Sequence, residues 1–154
     1  MLWFPATKNR KMIDNNELIR FLEAQNQVYL KALLEIKEGK KHTHWMWYIF
    51  PQIKGLGSSE TAQYYGIKDL SEATAYFNHP ILGKHLVEIS VEVLNLNGKK
   101  VTEIFGTPDD IKLRSSMTLF ANIKNSDPVF QKVLEKYFNG KPDDRTLQLL
   151  NLVL

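Results

Sequence analysis

The chain has 154 residues, of which 44% are hydrophobic and 24% are charged, and its formal net charge at pH 7 is +3. This composition is typical of one folded globular domain and excludes a largely disordered chain. Cysteine is absent, which excludes disulfide bonds, thiolate metal ligands and a cysteine nucleophile within this sequence.

The distribution of charge and hydropathy gives an expectation about compartment and partners. No apolar run approaches the roughly 20 residues that a membrane-spanning helix requires. The start, Met1 to Pro5, lacks the basic region and long apolar region of a secretory signal. We therefore expect a cytoplasmic protein with no membrane partner. Residues 1–57 carry a charge of +4 and residues 58–154 carry −1, a bias too weak for the dense basic stripe of a nucleic-acid-binding protein.

The first predicted element is a long amphipathic helix. After Asn15 or Asn16, either of which can cap a helix, apolar residues recur at three- and four-residue spacings as far as Ile36. Gly39 follows at the position where glycine commonly ends a helix. A shorter helix is predicted within residues 44–50, before a proline.

The later helices are predicted mainly from residues that cap helix N-termini. One helix follows Ser58 or Ser59 and ends before Gly66, and the next follows Asp69, in a capping box with Glu72, to about Phe77. Another runs from Asn78-His79-Pro80 to Gly98. Further helices follow Thr107-Pro108 and Ser126-Asp127-Pro128, and the last covers residues 146–154 after Asp143-Asp144. The sequence therefore predicts an all-α fold, a single compact multihelical domain of about six to eight helices. Residues 1–13 are predicted to be a flexible N-terminal tail and residues 14–154 the helical domain.

An aromatic segment, residues 42–52, carries the strongest functional signal. It contains two Trp, a Tyr, a Phe, two His and a Gln. Trp45 and Trp47 offer stacking faces, His44 can titrate near neutral pH, and Gln52 has both donors and acceptors. We interpret the segment as one wall of a ligand pocket, with His44 as a candidate catalytic acid or base. The alternative is that both tryptophans fill the core while His44 bonds to a nearby carbonyl.

Two further groups are candidates for binding an anion. Gly55 and Gly57 allow a ligand to approach the backbone closely, and Ser58 lies where free N–H groups at a helix start attract anions. An ordinary turn followed by a serine cap would have the same sequence. The second group consists of Lys112, Ser115 and Ser116, which lie within reach of one another on a predicted helix. The Ser-x-x-Lys order of a lysine-activated serine nucleophile is absent, so this group favours anion binding over nucleophilic catalysis.

Metal binding is not expected from the four histidines. His42 and His44 have an H-x-H spacing, and His79 and His85 are six residues apart. A metal site would need three or four such side chains to converge, and no carboxylate stands near either pair at a known ligand spacing. We expect no metal and no cofactor.

Several motifs together resemble one known family. They are His44-Trp45-Met46-Trp47-Tyr48-Ile49-Phe50-Pro51-Gln52, Gly55-Leu56-Gly57-Ser58-Ser59, Glu72-Ala73 with Tyr76, His79-Pro80 with Leu82-Gly83, and the stretch from Gly106 to Phe120. The chain is similar, from about Phe21 to Leu150, to an uncharacterised all-helical bacterial family that often carries the mistaken label calpastatin. The resemblance implies a compact helical cytosolic domain and supplies no catalytic residues. Lys84 stands where this family's pattern leads us to expect Arg.

Two functions compete on these observations. One is a cytosolic small-molecule-binding domain with an aromatic, anion-accepting pocket for a nucleotide-like or ADP-ribose-like ligand. A hydrolase that acts on such a ligand would need the same kind of pocket, so this hypothesis includes hydrolase activity. The other is a non-catalytic protein-interaction module that uses the aromatic segment as a docking patch. The sequence leaves open whether the protein is an enzyme.

Overall fold

The computed structural model describes residues 17–152, and these form ten helices. They are α1 (17–25), α2 (Tyr29–Lys37), α3 (Met46–Ile49), α4 (Glu60–Tyr65), α5 (Leu70–Asn78), α6 (Leu82–Asn95), α7 (Val101–Phe105), α8 (Asp109–Ala121), α9 (Pro128–Phe138) and α10 (Asp144–Leu149). The predicted tail over residues 1–13 and the predicted cap at Asn15 or Asn16 lie outside the described residues.

The all-α fold and the single domain are confirmed, whereas the prediction of six to eight helices is wrong. The long first helix is divided by a turn at residues 26–28, where the Val28 amide donates to the Gln25 carbonyl at 3.1 Å. Asn26 and Val28 are both weak helix formers, which makes this a favourable place for the break. The second addition is α7, whose five residues are too few to display a helical period.

Four of the predicted helix starts are confirmed by side-chain caps. Each capping oxygen accepts a hydrogen bond from a backbone amide in the first turn, at 2.8–3.1 Å. The caps are Ser59 on α4, Asp69 on α5, Asp127 on α9 and Asp143 on α10. At α8 the pattern differs, because Pro108 occupies the cap position and Thr107 precedes it through a cis peptide bond.

The core is organised around α6 and α8. Helix α6 packs against α2, α5 and α9, while α8 packs against α5, α7, α9 and α10. Aromatic rings connect these layers: Phe21 meets Tyr76 edge-on at 5.0 Å between centroids, Tyr76 meets Phe120 at 5.4 Å, and Phe120 meets Phe130 at 5.8 Å. Such pairs contribute roughly 0.5–1.5 kcal/mol each beyond the area they bury.

Long loops carry the chain from α3 to α5 and are held by one short parallel bridge. The Lys54 amide donates to the Ile67 carbonyl at 2.8 Å, and the Ile67 amide donates to the Gln52 carbonyl at 2.9 Å. Ile53 and Ile67 are both buried, so the bridge also anchors the loop in the core. Between residues 17 and 152, no helix has both the length and the apolar character needed to cross a membrane.

Candidate ligand-binding site

A cavity of about 350 Å³ lies between the segment that leads into α3 and the segment that leads into α8. Its polar lining consists of Lys41, His42, His44, Thr107, Asp109 and Lys112, and its apolar lining of Met46, Trp47, Phe105 and Pro108. The two segments are about sixty residues apart in sequence. The fold therefore brings the tryptophan-bearing turn and the start of α8 to one hollow.

Three charged groups, one from the segment before α3 and two from the start of α8, give this cavity a positive balance. The Lys41 ammonium lies 2.7 Å from one oxygen of Asp109, and the Lys112 ammonium lies 3.7 Å from the other. The Lys41 side chain is only 6% exposed, and its backbone amide is bonded to the Ile104 carbonyl at 2.7 Å. Two cations that share one carboxylate leave one unit of positive charge at the cavity wall.

Trp47 supplies a flat apolar face next to this charge. Its side chain is half-buried, and the Lys112 ammonium lies 4.9 Å from the centre of its ring. A cation at this distance is attracted to the ring face. The Lys112 ammonium thus lies over the Trp47 ring and both residues line the cavity, while His42 and His44 are exposed at its edge.

The carboxylate of Glu35, on α2, holds the turn from which these side chains project. It accepts hydrogen bonds from the amides of His42 and Thr43, at 2.7 and 3.1 Å, and from the Thr43 hydroxyl at 2.6 Å. The indole N–H of Trp45 donates to it at 2.9 Å. Burial alone would raise the pKa of Glu35, but these four donors outweigh it and lower the pKa to about 2. Glu35 is therefore a buried anion that fixes the wall of the cavity.

The structure brings together His44, Trp47 and Lys112 among the residues selected from sequence. Trp45 is fully buried, packs against Phe50 and Phe105, and uses its only donor on Glu35. It supports the cavity wall from behind and is not among the residues that line it.

The glycine-containing loop lies apart from this cavity. Gly55 has a φ of +107°, and a Cβ at that position would contact Leu149 on α10. The Ser58 carbonyl accepts from the Gln63 side chain at 3.0 Å, so this serine belongs to the start of α4. Gln52 takes part in the bridge to Ile67. Neither these residues nor Gly57 lie on the cavity lining.

Ser115 and Ser116 are also removed from the lining, because the second half of α8 is buried. The Ser115 hydroxyl donates to the Ile111 carbonyl one turn earlier, at 3.2 Å. The Ser116 hydroxyl is fully buried and has no hydrogen-bond partner among residues 17–152. Both serines thus pack within the core.

Sequence reasoning missed Lys41 and Asp109 as lining residues. Asp109 and Lys112 are three residues apart on α8, a spacing that already favours their pairing. Lys41 gives no comparable signal, since its ion pair joins segments far apart in sequence. In the part of the chain that the structure describes, no group of three or more His, Asp or Glu is arranged to hold a metal ion.

Burial also bears on the docking interpretation of the aromatic segment. Trp45, Met46, Ile49 and Phe50 are each no more than 2% exposed. Only Trp47 and Tyr48 retain partly exposed aromatic surface in this segment. This arrangement is closer to a cavity wall than to the broad apolar patch on which docking usually depends.

A second, larger cleft of about 880 Å³ was not anticipated from the sequence. It lies between the α1–α2 turn and the start of α6, and its polar lining includes Gln25, Tyr29, Lys84, His85 and Glu88. Gln25 and His85 are sixty residues apart, so their meeting depends on how α6 packs against α2. Of these polar residues, the sequence drew attention only to Lys84 and His85, and to His85 only as a possible metal ligand together with His79. The His79 ring nitrogen instead accepts hydrogen bonds from the amides of Ile81 and Leu82 at the start of α6.

Comparison with known proteins places these features in a wider group. The sequence profile of a family described as "Protein of unknown function (DUF1810)" matches residues 15–150. The chain is similar to the crystal structure of the conserved hypothetical protein Rv1873 from Mycobacterium tuberculosis, with 47% sequence identity and a TM-score of 0.86. That alignment covers 89% of this chain and 98% of Rv1873. No curated protein matches the chain.

Proposed function

This chain belongs to the DUF1810 family, whose function is unknown, and we propose that it binds a small phosphate-bearing ligand in the cavity beside Trp47. The observation that carries this proposal is the position of the Lys112 ammonium, 4.9 Å from the Trp47 ring centre and 3.7 Å from Asp109. A planar group can stack on the indole in place of the Lys112 ammonium, which then turns to the anionic group of the same ligand.

The size of the cavity favours a compact ligand. Its volume of about 350 Å³ is near the lower end of the range of roughly 300–1,000 Å³ that is typical of small-molecule sites. A mononucleotide or a sugar phosphate is therefore the better match within the nucleotide-like class. An ADP-ribose-like ligand would place one half in the cavity and the other across its rim, where His42 and His44 are exposed.

A hydrolase function would give His44 a further role. An imidazole at the rim can accept or donate a proton when a bond of the bound ligand lies within hydrogen-bond reach. The proposal therefore has two levels: ligand binding depends on Lys112 and Trp47, and any hydrolysis would depend on His44 in addition.

Calorimetric titration with ribose 5-phosphate, AMP, ADP-ribose and adenosine tests the binding level. We expect the phosphate-bearing compounds to bind and adenosine to bind much more weakly. Lys112→Met should weaken phosphate-dependent binding about tenfold or more, the loss expected for a charge-assisted contact. Lys124→Met is the matched control, because Lys124 is exposed beyond the end of α8 and does not line the cavity.

Two results would contradict the binding proposal: none of the four compounds binds, or the Lys112 and Lys124 variants behave alike. The hydrolase level is tested separately by incubating each compound that binds with wild type and with His44→Ala. A turnover that depends on His44 would support it, whereas binding without turnover would restrict the function to ligand recognition.

A further inference from the structure

The larger cleft, between the α1–α2 turn and α6, contains a histidine held in a defined state by buried neighbours. Gln25 is only 3% exposed. Its amide nitrogen lies 2.8 Å from the Tyr48 carbonyl and 2.9 Å from the Tyr76 hydroxyl, while its amide oxygen lies 2.8 Å from Nδ1 of His85. Every polar atom of this buried side chain therefore has a partner.

This network determines which nitrogen of His85 carries the proton. A backbone carbonyl can only accept, so the amide nitrogen of Gln25 must face Tyr48, and its oxygen must face His85. An amide oxygen can only accept, so Nδ1 of His85 must donate. In the neutral imidazole, Nε2 is then the unprotonated nitrogen, with a lone pair directed away from Gln25.

The orientation of the His85 ring is fixed by stacking as well. The ring lies against Tyr29 with 3.6 Å between centroids and 7° between planes. The Tyr29 hydroxyl donates to the Glu88 carboxylate, one turn along α6 from His85. Nε2 of His85 has no hydrogen-bond partner among the side chains and backbone groups of residues 17–152.

Burial favours the neutral form of the His85 imidazole, and the charged groups on either side of it act in opposite directions. Burial lowers the pKa of His85, Glu88 opposes that change, and Lys84 adds to it. A neutral imidazole whose second nitrogen is fixed by a hydrogen bond is the arrangement found where histidine accepts a proton or a hydrogen bond from a bound molecule.

Apolar side chains border the same cleft. Leu30 is 73% exposed and Ile81 is 49% exposed, and both line it together with the partly buried Leu22. We propose that this cleft is a second ligand site, which takes a molecule with an apolar body and a hydroxyl group, and that the hydroxyl donates to Nε2 of His85. The proposal is independent of the cavity at Trp47, since the two sites share no lining residue.

The tautomer is the first point to test. A long-range proton–nitrogen correlation spectrum of the histidines in the full chain, at pH 7.5, distinguishes a protonated ring nitrogen from an unprotonated one. We expect His85 to carry its proton on Nδ1. A proton on Nε2 would overturn the proposal, because no acceptor would then face a ligand hydroxyl.

Phenol and methoxybenzene are the probes for ligand binding, because they share an aromatic body and only phenol can donate a hydrogen bond. We expect phenol to shift the His85 resonances in a saturable way and methoxybenzene to bind about three- to tenfold more weakly, the loss expected for one hydrogen bond. His85→Asn keeps a donor for Gln25 but is too short to place an acceptor at the position of Nε2, so it should reduce phenol binding to the level of methoxybenzene.

His44→Asn is the matched control, because His44 lies at the other cavity, and it should leave phenol binding unchanged. Thermal melts of each variant show whether it is folded. Equal binding of the two probes to wild type, no saturable shift at His85, or loss of phenol binding in His44→Asn but not in His85→Asn would each overturn the proposal. None of these results would bear on phosphate binding beside Trp47.

Discussion

Asp109 is the residue that competes most directly with an anionic ligand. It forms ion pairs with both Lys41 and Lys112, so a phosphate entering the cavity has to compete with its carboxylate for these two cations. Asp109→Asn removes the negative charge with little change in shape. We expect this variant to bind AMP roughly three- to tenfold more tightly than wild type in calorimetry, because both ammonium groups are released.

Asp110→Asn is the natural comparison, since Asp110 neighbours Asp109 on α8 and does not line the cavity. It should leave AMP affinity close to that of wild type. Weaker AMP binding by Asp109→Asn would contradict the competition described above and would indicate that the carboxylate accepts from a ligand hydroxyl.

The negative charge of Glu35 contributes to the stability of the fold. Its pKa of about 2 lies well below the ordinary value of 4.5, so its charge stabilises the fold above pH 4.5 and this contribution is lost as the pH falls towards 2. We expect Glu35→Gln to lower the free energy of unfolding by about 3 kcal/mol in urea titrations at pH 7, the equivalent of that shift.

The pH dependence gives a second check on Glu35. The difference between wild type and Glu35→Gln should shrink between pH 4.5 and pH 2, where the wild-type carboxylate becomes protonated. Glu38→Gln is the control, because Glu38 is exposed at the C-terminal end of α2, and this variant should differ little in stability from wild type at pH 7. A constant difference across this range would mean that Glu35 contributes through shape and not through its charge.

Among the helices, the end of α5 lies directly against the start of α6. A Cβ on Gly83 would lie 1.8 Å from the Phe77 carbonyl oxygen, far inside van der Waals contact. Gly83→Ala therefore forces the two helices apart, although alanine is the better helix former. We expect a loss of about 2–3 kcal/mol in unfolding free energy, measured by urea titration.

Lys84→Ala tests whether that loss is specific to the helix contact. Lys84 is the next residue on α6 and is exposed, so its replacement should change stability by less than about 0.5 kcal/mol. A Gly83→Ala variant as stable as wild type would show that α6 can shift without cost.

The helix starts could be predicted from the sequence more readily than the breaks between helices. Caps such as Asp69 and Asp127 act within one turn, so the residues that determine a helix start are adjacent in the chain. The turn at residues 26–28 could not be predicted with the same certainty, because it interrupts a continuous apolar stripe. Its effect is tertiary: it places Gln25 and Tyr29 on the cleft that faces α6.

The candidate site likewise combines residues that the sequence can identify with residues that only the fold brings together. Segment 42–52 was identified because its residue mixture is unusual, and His44 and Trp47 do line the cavity. The sequence could not distinguish Trp45 from Trp47, since two tryptophans two residues apart look alike until the fold buries one of them beside Glu35. Partners such as Lys41 and Asp109 meet only when the segments before α3 and α8 pack together.

For the whole molecule, burial of aromatic residues leads to a prediction at alkaline pH. Burial raises the pKa of five tyrosines: Tyr29, Tyr48, Tyr65, Tyr76 and Tyr137. In the unfolded chain these groups lose their protons near pH 10. The raised values therefore stabilise the fold below pH 10, and this contribution is lost as the pH rises further.

Tyr29 and Tyr76 are the most deeply buried of the five, and above pH 10 each should cost about 1.4 kcal/mol of stability per pH unit. With a typical total of roughly 5–15 kcal/mol, unfolding within a few pH units follows. We expect tyrosinate absorbance and the loss of helical circular dichroism to rise together over a narrow range. Protein in urea, as the control, should titrate smoothly near pH 10. If the buried tyrosines ionised well before the helices were lost, the hydroxyls would have to be reachable by water in the folded state, and the closed aromatic layers between α1, α5 and α8 would be excluded.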